Sequence, residues 1–324
     1  MRRTGGDTGA ARATSGKRGG VRGEPNDHLD ASKPKEVTLS AAAEAATLAP
    51  GLYLVATPIG NLGDITLRGL AVLRGVDRIW CEDTRITAKL LARYEISTRL
   101  EAYHDHNAEQ VRPAILAVLR RGERVALVSD AGTPLVSDPG YKLVRATIAE
   151  NLPVTAAPGP SAALTALILS GLPSDTFLFA GFLPPRQAAR RRALERWVAL
   201  EATLVFFEST PRLAESLADM AELFGNRAAA IARELTKLHE EMRRGGLRGL
   251  AEHYRRAGPP RGEAVVVVGP PEPAEPDQAE VDRRLRAALA ELGVRDAAAK
   301  LAAETGLPRS GLYRRALAIR GDKG

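Results

Sequence analysis

Residues 124–134 read Arg124-Val-Ala-Leu-Val-Ser-Asp-Ala-Gly-Thr-Pro134, an apolar run that stops abruptly in small, turn-forming residues. Apolar residues in succession, without alternation, describe a strand buried on both faces, as in a parallel sheet covered by helices. The pattern recurs in both directions. Upstream, Gly51-Leu-Tyr-Leu-Val-Ala56 is stopped by Thr57-Pro58 and Gly60-Asn61. Helical spacing follows through Leu67, Leu70, Ala71 and Leu73, and Arg78-Ile-Trp-Cys81 is strand-like. Downstream, a helix is predicted after Pro139-Gly140, a strand at Pro153-Val-Thr-Ala-Ala157 and a helix from Ser161. Strands that alternate with helices in this way predict an α/β fold with a mostly parallel sheet.

Pro173 and Pro184-Pro185 mark a break near residues 171–185. Beyond it, strands are expected at 176–182, 202–207, 228–232 and 263–268, with helices at 190–200 and 212–224. Their closer succession predicts a smaller, more antiparallel layer. The expected architecture is therefore two α/β lobes, residues 50–171 and 172–269, with a cleft between them. The acidic, Pro-rich stretch 270–280 reads as an extended linker. Residues 281–324 read as a helical module: a helix from Arg295, a turn at Gly306, and a second helix entered at Arg309-Ser310. That is helix-turn-helix spacing, with Leu312 and Leu317 turned inward and Arg309, Arg314 and Arg315 placed to meet phosphates. A plain helical pair packed on the main body has the same spacing. Residues 1–49 show no sustained period and carry eight Lys/Arg against six Asp/Glu, so they read as a disordered arm with little electrostatic bias.

The chain of 324 residues is 44% hydrophobic and 26% charged, ordinary globular usage that can bury a sizeable core. A single cysteine excludes an intrachain disulfide framework and a Cys-rich zinc site. Aromatics at 4% leave little material for rows of base-stacking rings. The net charge of +7 permits a polyanionic partner without requiring one. No apolar run approaches the ~20 residues of a membrane span. The pair Arg2-Arg3 lacks the apolar stretch of an export signal behind it, so a cytoplasmic location is expected.

Four loops fall where strands should end: Thr57-Pro-Ile-Gly-Asn61, Glu82-Asp-Thr-Arg85, Ser129–Pro134 with Ser137-Asp-Pro-Gly140, and Pro158-Gly-Pro-Ser-Ala162. Ligands of open α/β sheets bind outside the carboxyl ends of the strands. Glycine and proline there shape turns whose backbone groups can face a ligand. None of the four is a dinucleotide fingerprint or a phosphate-binding P-loop.

These loops occur in order with His104-Asp-His-Asn107, Gly171-Leu-Pro-Ser-Asp175, Gly181-Phe-Leu-Pro184, Phe207-Glu-Ser-Thr-Pro-Arg212 and Ala232-Arg-Glu-Leu-Thr-Lys237. Together they resemble the ribosomal small-subunit RNA methyltransferases that modify the 2′-O of a cytidine ribose near the decoding centre of 16S rRNA. These are members of the tetrapyrrole-methylase superfamily. The resemblance covers residues 51–269 and the C-terminal helices. It implies a two-lobed tetrapyrrole-methylase-like fold, S-adenosylmethionine in the cleft between lobes, a homodimer, and 16S rRNA or the assembled small subunit as substrate. By the same resemblance Ser129, Asp130, Ala131, Gly132, Thr133 and Pro134 line the cofactor pocket. Pro158, Gly159, Ser161 and Ala162 form a second wall, and Thr57, Gly60 and Asn61 face substrate or cofactor.

Methyl transfer to a ribose hydroxyl needs alignment above all, plus a group that accepts the hydroxyl proton. Glu82, Asp83, His104, His106, Glu208, Glu234 and Lys237 are the candidates. Glu234 and Lys237 stand out, because an acid and a base three residues apart share a face if the segment is helical. Glu208, at a strand end, either serves the substrate or caps the next helix. Asp83 and Arg85 either serve the substrate or pair with each other at a helix start. His104-Asp-His106 is expected to be a hydrogen-bonding turn, with no metal bound, and Cys81 a buried small hydrophobe. For RNA, the segment Arg186, Arg190, Arg191, Arg192 and Arg196 is the strongest phosphate-contact candidate, against the alternative of a solvated helix face. Two other functions fit the fold: a tetrapyrrole C-methyltransferase, and an RNA-binding protein without catalysis.

Overall fold

The computed structural model describes residues 48–272 and 278–321. The expected arm, apart from Leu48 and Ala49, and the middle of the Pro-rich linker lie outside the described residues.

The first half runs β1 (Gly51–Val55), α1 (Leu67–Gly75), β2 (Arg78–Cys81), α2 (Thr84–Arg93), β3 (Leu100–Ala102), α3 (Ala108–Arg120), β4 (Arg124–Val128), α4 (Tyr141–Ala149), β5 (Val154–Ala157) and α5 (Ala162–Ser170). Its sheet has the order β3-β2-β4-β1-β5, and every pairing is parallel. Val125 to Val128 of β4 are buried, with one helix layer over each face of the sheet. Val125, Leu127 and Val128 each contribute roughly 1.5–3 kcal/mol of apolar burial. Because all five strands run the same way, their carboxyl ends share one edge, and the four loops collect there. Two elements carried too weak a signal to be expected from sequence. Strand β3 is three half-buried residues, and α3 holds Pro113 in its interior.

The second half runs β6 (Phe177–Phe182), α6 (Gln187–Glu195), β7 (Thr203–Ser209), α7 (Leu213–Leu223), β8 (Ala228–Arg233), β9 (Glu241–Gly246), α8 (Leu247–Ala257) and β10 (Glu263–Val268). The order is β6-β7-β10-β8-β9, antiparallel except for β6 on β7. Helices α6, α7 and α8 cover one face through Leu194, Leu213, Leu217, Met220, Leu250 and Tyr254. Helix α5 covers the other face, setting Ala163, Ala166 and Leu167 on Val205, Ala230, Val265 and Val267. The helix expected to close the first lobe therefore packs on the second sheet, and Leu164 and Ile168 on its far side stay 50% and 72% exposed.

Beyond the linker come α9 (Gln278–Glu291), α10 (Val294–Thr305) and α11 (Arg309–Gly321), packed around Leu285, Ala298, Leu301, Leu312 and Ile319. The module thus has three helices where two were expected. Leu312 is buried as expected; Leu317 is exposed, because Ala316 and Ile319 take the inward positions. Arg314 is exposed, whereas Arg315 is held by Asp282 at 2.6 Å.

Candidate functional site

A cleft of about 450 Å³ opens where the loops of the first sheet meet the second. One wall is Asp130, Ala131, Gly132 and Thr133 after β4, with Ser161 and Ala162 at the start of α5. The other is Phe182 and Phe207 at the ends of β6 and β7, with Gly262 to Val265 leading into β10. Phe207 stands edge-on to Phe179 and Phe182, with ring centres at 4.9 and 5.4 Å.

The loop after β4 is held by backbone bonds to Thr57 and by its own short hydroxyl side chains. The Gly132 N–H donates to Thr57 O at 3.0 Å, and the Thr57 N–H donates to Gly132 O at 2.9 Å. Ser129 Oγ donates toward Ala131 O and Gly132 O, and Thr133 Oγ1 donates to Pro160 O at 3.1 Å. Leu135 and Ser137 follow at φ 72° and 67°, left-handed conformations that cost about 1–3 kcal/mol each and gather at functional sites. Ser161 caps α5. Ser129, Pro134, Pro158 and Gly159, expected in the pocket, are not among the residues lining it. Pro134 is buried, and Gly159 packs so closely that a Cβ would stand 3.1 Å from that of Ala56.

Asp138 was not singled out in the sequence, although its Ser137-Asp-Pro-Gly140 turn was. It lines the cleft, and burial, reinforced by the Glu82 carboxylate, pushes its pKa up to about 6. Burial also raises Glu82 and Asp130. Asp130 accepts the Asp83 N–H at 2.9 Å. The cleft floor therefore carries carboxyl groups poorly supplied with counter-charge, a setting that favours a cationic ligand.

A second cavity of about 310 Å³ adjoins the first and shares Ile59, Asp130, Ala131 and Glu263 with it. Thr57, Gly60 and Ser129 line this second space, while Asn61 instead caps the 62–64 turn. Lys237 enters it with Nζ 2.9 Å from both Glu234 Oε1 and Glu263 Oε2. The segment is a turn, not the helix that would have paired them. Glu234 and Thr236 take φ 49° and 62°, which bends Lys237 back over Glu234. Burial draws the Lys237 pKa down, but the Glu234 and Glu263 carboxylates outweigh it and the net shift is upward. Glu234 is lowered, chiefly by its bond from Lys237. The lysine is thus held as an ammonium.

Other expected residues lie elsewhere. Glu208 lines the cleft with its carboxylate occupied: the Ser209 N–H, Ser216 Oγ and Arg212 Nη2 all donate to it. It positions the 209–212 wall. Asp83 caps α2 and binds Arg85 at 2.5 Å, which lowers the carboxyl to about 2, while the Arg85 side chain stays 87% exposed. Arg190 is 1% exposed and bound to Asp219 at 2.7 Å. Arg191 binds Asp219 and Glu222. Neither fits the phosphate contact expected of it, because α6 turns that side onto α7; Arg186, Arg192 and Arg196 remain exposed. Cys81 is buried. Among the described residues no His/Cys/Asp/Glu group is placed to hold a metal, and no helix is long and apolar enough to cross a membrane.

With this geometry in view, residues 51–251 match the family of Tetrapyrrole (Corrin/Porphyrin) Methylases and residues 275–320 match the RsmI C-terminal HTH domain. The chain is 55% identical to "Ribosomal RNA small subunit methyltransferase I" of Mesorhizobium japonicum over 86% of its own length and 95% of that protein. It is 45% identical to the protein of the same name from Escherichia coli O157:H7, over 83% and 96%. Among solved structures it shares a fold with diphthine synthase (TM-score 0.53, 13% identity, 67% of this chain and 89% of that one). The cobalt precorrin-4 methyltransferase is similarly related (TM-score 0.51, 16% identity, 67% and 94%).

Proposed function

Since the chain belongs to the ribosomal RNA small subunit methyltransferase I family within the tetrapyrrole methylases, we propose that it methylates the 2′-O of a cytidine ribose in 16S rRNA, near the decoding centre. The observation that carries the reading is the pair of adjoining cavities, one suited to the methyl donor and one containing Lys237.

The residues of the cleft suit S-adenosylmethionine. About 450 Å³ lies within the ~300–1,000 Å³ usual for such ligands. Phe182 and Phe207 offer apolar faces, the 131–133 backbone offers polar edges, and Asp130 and Asp138 favour a positive charge. When bound, the cofactor supplies a methyl on a sulfonium, whose sulfur keeps the bonding pair as the new carbon–oxygen bond forms. The chain's task is to align the acceptor oxygen and to receive its proton. Orientation of this kind is worth up to ~7–11 kcal/mol. Lys237 and Glu234 form the catalytic pair in this reading. The ammonium donates to the acceptor oxygen as negative charge develops there, and Glu234 fixes the ammonium. With Lys237 protonated, a carboxylate of the shared wall, Asp130 or Glu263, takes the hydroxyl proton.

The exposed apolar side of α5, with Leu164 and Ile168, supports a homodimer formed over that surface. Small ribosomal subunits in the cytoplasm are the expected partner.

The test incubates the protein with methyl-labelled S-adenosylmethionine and small subunits lacking the modification, then maps the label after nuclease digestion. Label on one cytidine ribose is expected. Bound cofactor without transfer would instead favour a tetrapyrrole acceptor or a non-catalytic role.

A further inference from the structure

We propose that the second cavity receives a single nucleotide extruded from the RNA, its base held between Leu62 and Ile86 and its phosphate met by Lys89. The inference rests on the reading that the acceptor is an RNA ribose, and it identifies where and how that nucleotide is held.

In-line displacement requires the acceptor oxygen to approach the methyl from the side opposite sulfur, so the acceptor must occupy a space that opens on the cofactor cleft. The second cavity meets that condition through the shared wall of Ile59, Asp130, Ala131 and Glu263. At about 310 Å³ it sits at the lower end of the ~300–1,000 Å³ of small-molecule sites. That is room for one nucleoside and not for a stacked run, so the target has to leave its stack.

The lining matches such a guest. Leu62 and Ile86 are large aliphatic side chains, yet they remain 41% and 43% exposed at this cavity. Tyr94 Oη, at the end of α2, donates to Leu62 O at 2.6 Å and so ties the Leu62 turn to the helix that carries Ile86. The bracket is therefore fixed in place. With aromatics at 4% of the chain, aliphatic faces take the part that stacking rings play elsewhere. Lys89 lies three residues beyond Ile86 on the same helix and also lines the cavity. It is exposed and forms no ion pair among the described residues, which leaves its ammonium for a phosphate.

Two variants of the full-length protein test this with labelled cofactor and unmethylated small subunits. Ile86→Trp fills the space from an exposed position, and cofactor binding within twofold of wild type certifies its fold. Its methyl transfer is expected to fall about 100-fold. Lys89→Glu is expected to raise the subunit concentration for half-saturation and to lower the salt slope by about 1, with Lys89→Arg restoring both. Transfer at the wild-type rate by Ile86→Trp would overturn the proposal while leaving the methyltransferase reading intact. Absence of transfer by the wild type would overturn that reading instead.

A third measurement does not depend on turnover. Cys81 is buried, so a photoreactive thiol reagent on Lys89→Cys labels that position selectively. Reverse-transcription stops beside one nucleotide of the small-subunit RNA are expected, and scattered or absent stops would overturn the placement.

Discussion

Gly262 stands against the carboxylate of Glu234: a Cβ at position 262 would lie 2.2 Å from Oε1. Gly60 does the same for the other member of the pair, where a Cβ would lie 2.4 Å from Lys237 Cγ. Two glycines from opposite lobes thus leave the space in which the Glu234–Lys237 contact forms. Gly262→Ala should displace the Glu234 carboxylate, and its φ of 94° adds backbone strain. We expect transfer to fall by about tenfold or more, since small misplacements near reacting groups are costly. A crystal structure of the variant should show Lys237 released from Glu234.

Lys237→Ala should lower transfer by ~10²–10³-fold, the range of a lost donor to a developing oxyanion. Cofactor affinity should hold within twofold, because Lys237 lines the second cavity and not the first. Single-turnover rates paired with equilibrium dialysis separate the two effects. Unchanged turnover would remove Lys237 from the mechanism.

Asp138 makes the protein more stable toward acid than a carboxylate usually does. Its folded pKa of about 6 lies above the ordinary value of 3.8, so between these the folded state holds a proton that the unfolded chain has lost. Stability from this group is therefore present below pH 3.8, declines as pH rises, and is gone above about 6. Asp138→Asn should raise the Tm at pH 7.5 and flatten its dependence between pH 4 and 6, while weakening cofactor binding. A lower Tm at pH 7.5 would contradict the assignment.

Removing Arg190 takes one charged partner from the buried Asp219 carboxylate, which keeps Arg191 and Gln187, so a loss of about 1–3 kcal/mol is expected. Urea denaturation should show this for Arg190→Ala, with little change in the salt dependence of RNA binding. The triple replacement of exposed Arg186, Arg192 and Arg196 by Ala should do the reverse, lowering the salt slope at near-normal stability.

Ile168→Asp places a charge on the apolar side of α5, where the side chain is 72% exposed. Light scattering should report a dimer for the wild type and a monomer for this variant. Two monomers of equal mass would rule out pairing across α5.

Much of this arrangement was legible in the chain. Continuous apolar strands foretold the parallel sheet, and small, rigid residues after each strand foretold which edge would line the cleft. The polar edge strand β9 was not legible, since Glu241-Met-Arg-Arg-Gly-Gly246 carries no alternation. Nor was the burial of Arg190, because a run of arginines looks alike whether or not a distant carboxylate meets one of them. The Glu234–Lys237 pair was found through the wrong geometry. Left-handed residues in a turn bring them together, and no helical spacing signals that. Phe182, Phe207 and Glu263 enter the cleft only because the second sheet faces the first, a relationship between segments far apart in sequence.

The bridge between Thr57 and Gly132 joins a loop of one cavity to a loop of the other through two main-chain bonds, with the Thr57 hydroxyl adding a bond to Ser129 O. Apart from the Thr57 hydroxyl, a partition of that kind does not depend on which side chains stand on either side of it. Residues of the second cavity outside the shared wall can therefore be exchanged for another acceptor while the seam beside the first cavity stays in place. One scaffold with a fixed backbone seam can in this way serve acceptors as different as a macrocycle and a nucleotide.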